Sequence, residues 1–210
     1  MKITKKVGVG LGAVVLAVSA LSFTQISKLY GTKIIDVIDG DTIVTENKQR
    51  IRLFGVNSPD EGYCYFEESK EKLTSLVKGK RVILKDPIVD KYRRMVAVVY
   101  VKDKMINEEM VKGGFGRYDS EVNSESGVLR EAREEAMSEG RGLYGECVEK
   151  EAPDSGCVIK GNQDYGPKIY HLPGCLDYER TLVDLDLGDA WFCSEKEAEK
   201  AGFVKSKNCK

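Results

Sequence analysis

The chain has 210 residues, 41% of them hydrophobic and 32% charged, enough to bury the core of one medium domain and leave a small second one. Its formal net charge of −1 and pI of about 6.0 exclude a global electrostatic attraction to nucleic acid, although charge is locally uneven. Lysines and arginines crowd the stretch from Lys78 to Arg94, and acids crowd that from Asp119 to Glu149.

At the N-terminus, "MKITKK" is basic and the run from Val7 to Phe23 is uncharged, the pattern of an export signal. Val18-Ser19-Ala20 permits cleavage after Ala20, yet the apolar run is close to the roughly 18 residues that span a membrane. Residues 1–28 therefore read as a signal peptide or an N-terminal membrane anchor, and the protein is expected outside a bacterial cell or anchored facing outward. Six cysteines in an exported chain read first as disulfides. Cys64 and Cys147 fall in the larger domain, and Cys157, Cys175, Cys193 and Cys209 in the tail.

Next come "TKIIDVIDGDTIVTE", rich in β-branched residues, and the alternating "QRIRLFGV", with "ENKQ" as the turn between them. "CYFEESKEKLTSLVKGK" predicts a helix in which Phe66, Leu73, Leu76 and Val77 recur at helical spacing and Gly79 supplies the stop. "RVILKD" and "MVAVVYVKD" predict strands separated by a loop "PIVDKYRR"; "INEEMVKGG" and "GVLREAREEAMSEG" predict two more helices. This order indicates an α+β domain over residues 31–148. A polar linker over 149–156 then leads to a small cysteine-rich module over 157–210, in which Ser194 and Glu197 have the spacing of a capping box.

The chemistry concentrates in "VIDGDTIVTENKQRIRLFGVNSPD". If Asp39 and Asp41 lie on a strand they project to one face, and their repulsion favours a cation such as calcium, which takes oxygen ligands. Arg52 on the adjoining strand and Arg94 at the end of "DKYRR" have the guanidinium geometry that grips phosphate, and Asp60 is a carboxylate able to activate water. Asp-Gly and Ser-Pro-Asp are equally ordinary turn vocabulary, so spacing alone leaves both readings open.

"DGDT", "IRLFGVNSPD", "VDKYRRMVAVVYV" and "VNSESGVLREAREEAMSEGRGLYG" follow one another in an order that resembles the thermonuclease (staphylococcal nuclease) family, over roughly Thr32 to Cys147. The resemblance implies a five-stranded OB-fold barrel with three helices, and calcium-dependent hydrolysis of DNA and RNA to 3′-phosphate products. By that resemblance Asp41, Asn57 and Ser58 fall on the metal positions with Asp39 close to the ion. Arg52 and Arg94 fall on the phosphate-binding arginines, Asp60 on the general base, and Lys91 and Tyr92 on nucleotide-contacting positions. Tyr118 is a further candidate for stacking on a base. Asn57 replaces an aspartate and Asp60 a glutamate, which lowers the site's charge and shortens its base. A catalytically weak module that binds extracellular nucleic acid is therefore the alternative. A single-stranded or frayed substrate and a monomeric state are expected.

Similarity to secreted relatives also implies a Cys64–Cys147 bridge. The tail's "KIYHLPGC" and "WFCSEKEAEKAGF" resemble small zinc-binding fingers, so His171 and the tail cysteines are candidate Zn2+ ligands. Two disulfides among Cys157, Cys175, Cys193 and Cys209 are favoured, in any of three connectivities.

Overall fold

The computed structural model describes residues 31–119, 123–163 and 166–209; the signal or anchor segment read over 1–28 lies outside the described residues. Strands β1 (Thr32–Val37), β2 (Thr42–Thr45), β3 (Arg50–Leu53), β5 (Arg81–Val89) and β6 (Met95–Val101) form a sheet in the order β3-β2-β1-β5-β6. A parallel β3–β6 pairing, with Arg52 opposite Val96, closes it into the expected five-stranded barrel. Ile34, Ile43, Ile51 and Leu53 are fully buried inside, because the alternating pattern turns one side of each strand inward. A register shift between Ile34 and Asp36 lets Val37 also face the core.

The stretch expected as the loop "PIVDKYRR" is partly strand. β5 continues through Pro87 to Val89 across a register shift between Lys85 and Ile88, with Asp86 at φ +49°. Proline survives there because the irregularity removes the need for its missing N–H. The outer half of β5 stands proud of the core, with Ile88 and Val89 exposed. A second difference concerns Asp39 and Asp41, which lie in the turn between β1 and β2 and not on a strand.

Two two-residue strands, β4 (Val56–Asn57) and β8 (Arg117–Tyr118), pair antiparallel, with Asn57 opposite Arg117. β7 (Lys104–Met105) extends the sheet beyond β6. Helix α1 (Phe66–Val77) buries Ser69, Leu73 and Val77. α2 (Ile106–Lys112) buries Met110 and Val111, and α3 (Ser126–Ser138) buries Leu129, Ala132 and Ala136. Asn107, also buried, accepts from the Val99 N–H at 2.8 Å and donates to the Phe54 carbonyl at 2.8 Å, tying α2 to the barrel. A short fourth helix, α4 (Leu143–Glu146), precedes β9 (Val148–Glu149).

In the tail, β10 (Ile159–Asn162), β11 (Ile169–His171), β13 (Ala190–Phe192) and β14 (Val204–Lys205) form a four-stranded sheet. β12 (Val183–Asp184) lies apart from this sheet and pairs with β9. Helix α5 (Glu195–Lys200) starts at Ser194, whose Oγ accepts from the Glu197 N–H at 3.3 Å, while the Glu197 carboxylate accepts from the Cys193 N–H at 2.9 Å. The Ser194 half of the capping box expected from the spacing is present, while the Glu197 carboxylate reaches one residue further back, to the N–H before the cap. Ile159, Tyr170, Phe192, Ala198 and Phe203 form a separate small core.

The cysteines pair as Cys64–Cys147, Cys157–Cys193 and Cys175–Cys209, leaving none free. The first closes a loop 83 residues long and is worth about 4–5 kcal/mol by loop entropy. The other two resolve the tail connectivity. They also remove the thiolates a zinc site would need. His171 is buried on β11, opposite Lys160, and binds no sulfur.

Candidate active site

The turn 38–41 is held from below. Gly40 is buried between β1 and α1, and a Cβ there would come within 2.6 Å of Ser69 Cβ and 2.7 Å of Ser58 Cβ. Only glycine lets the turn lie this close, and the closeness brings Asp41 to Ser58. The Asp41 carboxylate, 2% exposed, gathers four hydrogen bonds. Arg52 Nη1 donates to Oδ1 at 2.5 Å and Thr42 Oγ1 at 2.8 Å; the Ser58 N–H and Oγ donate to Oδ2 at 3.1 and 3.3 Å. Burial pushes the Asp41 carboxyl up to about 6; the Arg52 guanidinium opposes this, and the nearby Asp39 carboxylate reinforces it. Asp39 itself accepts from the Asp41 N–H at 3.0 Å.

Arg52 is the hub. Its Nη2 donates to Asn57 Oδ1 at 2.8 Å and to the Val56 carbonyl at 3.2 Å. The asparagine therefore sits within the site with its amide oxygen turned to the guanidinium. Asp41, Arg52, Asn57 and Ser58, drawn from one turn, β3, β4 and the residue after it, form one connected network.

Above Arg52 opens a cleft of about 450 Å³, lined among others by Arg52, Tyr92, Lys91, Arg94 and Asp119. The loop that carries these cations is organised by Asp90, whose Oδ1 accepts from the backbone N–H groups of Tyr92 and Arg94 and whose Oδ2 accepts from Arg94 Nε at 2.8 Å. Arg94 Cζ and Lys91 Nζ lie 5.2 and 5.0 Å from the Tyr92 ring, and Tyr92 is exposed. The cleft thus joins guanidinium groups suited to phosphate with an aromatic ring suited to a base.

Asp60 lies elsewhere. It is exposed and lines a second, smaller hollow of about 210 Å³ together with Asn57, Ser58 and Tyr63. Asn57 thus touches the Arg52 network on one side and this hollow on the other. Tyr118 packs against the core from β8 and sits against Gly55, and it does not line the cleft.

The oxygen donors available to a cation are the carboxylates of Asp41 and Asp39, the Asn57 amide oxygen and the Ser58 oxygens. They suit a hard divalent ion such as calcium in kind. Among the described residues no three His, Cys, Asp or Glu side chains converge as a ligand group, so neutral oxygens must complete the set. A cation at Asp41 would share that carboxylate with Arg52.

Sequence reasoning missed Arg117, Asp186, Tyr63 and Gln163. Arg117 Nε and Nη2 donate to Asp186 Oδ2 and Oδ1 at 2.7 and 2.8 Å, and Nη2 lies 3.3 Å from Asp184 Oδ1. Burial works against the Arg117 charge, but the two carboxylates more than compensate and hold its pKa above the ordinary arginine value. A single arginine in "GFGRYD" and aspartates in "DLDLGD" carry no periodic signal that links them.

A family model described as staphylococcal nuclease homologue matches residues 50–146, and a second, described as ArfC, matches residues 140–205. An uncharacterized endonuclease of Haemophilus influenzae is 32% identical over 116 residues, covering 53% of this chain and 65% of that protein. An uncharacterized endonuclease of Escherichia coli O157:H7 is 34% identical over 116 residues, covering 53% of this chain and 75% of that protein. A micrococcal nuclease of Shigella flexneri is 32% identical over 91 residues, covering 42% of this chain and 50% of that protein. With the closed barrel and the Asp41–Arg52 network, these similarities establish that the chain belongs to the staphylococcal nuclease family.

Proposed function

We propose that the protein is an exported, calcium-dependent nuclease that hydrolyses phosphodiester bonds of DNA or RNA and leaves 3′-phosphate ends. The observation that carries this reading is the buried Asp41 carboxylate bound to Arg52 at the floor of a cleft that also holds Lys91, Tyr92 and Arg94. Arg52 and Arg94 bind phosphoryl oxygens and stabilise the charge that builds on them as the bond breaks. Tyr92 and Lys91 orient the nucleotide, and Asp60 takes a proton from the attacking water. Asp41, Asp39, Asn57 and Ser58 would hold the calcium ion. When bound, calcium adds positive charge that neutralises the phosphoryl oxygens.

Export is supported by the basic and apolar N-terminal run and by three disulfides, which persist in oxidising compartments. A second reading, a binding module with weak catalysis, is favoured by one observation: Asp60 lines a different hollow from Arg52 and Arg94. Incubation of the full chain with single-stranded DNA and RNA, with calcium or with chelator, separates the two. Calcium-dependent fragments ending in 3′-phosphate support the nuclease; retained binding with intact substrate supports the second reading.

A further inference from the structure

The smaller hollow has two walls from different parts of the chain. Asn57, Ser58, Asp60 and Tyr63 come from the barrel domain, and Gln163, Asp186 and Leu187 come from the C-terminal module. Several links hold the walls together. Arg117, opposite Asn57 in the β4–β8 pair, is bound to Asp186 and Asp184. β9 pairs with β12, and the Leu185 N–H donates to the Cys147 carbonyl at 2.9 Å. Cys147 is in turn bonded to Cys64, next to Tyr63. Gly188, at φ +81°, lies against the Tyr63 ring so closely that a Cβ would fall 2.9 Å from Tyr63 Cζ. Gln163 Nε2 closes the corner by donating to the Leu187 carbonyl at 2.5 Å.

The chemistry of the lining selects the occupant. Its charged side chains are Asp60 and Asp186, the latter paired with Arg117 behind the wall, and no lysine or arginine is among its lining residues, so the exposed Asp60 carboxylate disfavours a phosphate. Amide, hydroxyl and carboxylate groups suit the neutral donors and acceptors of a sugar or base edge. Tyr63, 41% exposed, offers aromatic surface of the kind on which bases stack. The volume of about 210 Å³ is below the roughly 300–1,000 Å³ of pockets that enclose a whole ligand; it takes one part of a longer molecule. Through Asn57 the hollow borders the Arg52 network, so a nucleic-acid strand whose phosphate sits on Arg52 has its next sugar and base at this hollow.

We infer that the C-terminal module is a working wall of the active site, forming with Tyr63 a subsite for the neutral nucleoside next to the phosphate bound by Arg52. This rests on the nuclease reading. It gives the module a role in how the substrate strand is held, and it makes Leu187 and Gln163 specificity-determining residues.

The test compares equilibrium binding of a deoxymononucleotide and a deoxytrinucleotide to the full chain, native and Leu187→Trp, with Gln163→Ala as a second variant that removes the wall's amide without filling the hollow. The mononucleotide reports the basic cleft; the ratio of the two affinities isolates the hollow. The native ratio is expected to be about tenfold or more, near the gain of about 1–3 kcal/mol from stacking one base. It should fall to about one in Leu187→Trp and to an intermediate value in Gln163→Ala. A native ratio of one, or the native ratio retained in a folded Leu187→Trp protein, overturns the subsite while mononucleotide binding leaves the nuclease reading standing. Failure of the native chain to bind either ligand overturns both.

Discussion

Arg117 of the barrel domain holds Asp186 of the C-terminal module through two parallel hydrogen bonds of 2.7 and 2.8 Å, with the aspartate side chain 2% exposed. Bidentate geometry and burial make this pair a clamp between the two parts. Asp186→Ala breaks both of these bonds and leaves Arg117 to the longer 3.3 Å contact with Asp184, so it is expected to lower stability by about 3 kcal/mol, at the low end of the cost of an unpaired buried charge; Asp184→Ala, which leaves the bidentate pair intact, should cost less. Urea unfolding of the full chain with its disulfides intact checks both.

Asn57 accepts from Arg52 Nη2 at 2.8 Å and brings no charge to a cation. Asn57→Asp adds a third carboxylate beside Asp41 and Asp39 and should lower the calcium concentration needed for half-maximal cleavage by about tenfold, near 1.4 kcal/mol of added attraction. A calcium titration of the cleavage rate reads this directly. An unchanged requirement would mean that position 57 does not face the ion.

Gly40 permits the contact between the 38–41 turn, Ser58 and Ser69. Gly40→Ala must push Ser58 or α1 away, at a cost of about 1–3 kcal/mol of overpacking. It also lengthens the Ser58 hydrogen bonds to Asp41. Stability and cleavage rate should fall together, whereas Gly127→Ala on α3, where a Cβ meets nothing within 4 Å and the backbone is not in the left-handed region, should leave the rate near native.

His171 is buried in the module, and burial holds its pKa below the ordinary histidine value; Asp177 works against this, and Lys160 and Arg180 with it. The unfolded chain then binds the proton more readily than the folded one as pH falls below about 6.5. The stabilising contribution is present above that pH and is lost as pH drops through it. Asp41, whose raised carboxyl takes up a proton in the same window, works the other way in both proteins, so the readout in thermal unfolding is the difference: from pH 7.5 to 5.5 the midpoint of the native chain should fall relative to that of His171→Gln. Equal slopes in the two proteins would remove His171 from the account.

The barrel was legible because its strands alternate apolar and polar residues around β-branched runs, and the two longer helices because leucine, valine and alanine recur at helical spacing. Asp41, Arg52, Arg94 and Tyr92 were legible through the order of several motifs, not through any single one. Other features had no local signal. β4 and β8 are two residues each, too short for any periodicity, yet they set Asn57 opposite Arg117. The tail disulfides are one choice among three pairings that the same sequence permits. The docking of the module joins Arg117 to two aspartates about 70 residues further along the chain, beside the β9–β12 pairing, and no local pattern connects them.

The most direct test of the account is the rate at which the full chain cleaves a single-stranded oligonucleotide in calcium, native against Arg52→Lys. Lysine keeps a charge but cannot bridge Asp41, Asn57 and a phosphate at once. The expected result is calcium-dependent cleavage by the native chain and a loss of about 100-fold or more in the variant, near 2.7 kcal/mol of transition-state stabilisation. Equal rates in the two proteins, or native cleavage that persists in chelator, would contradict it.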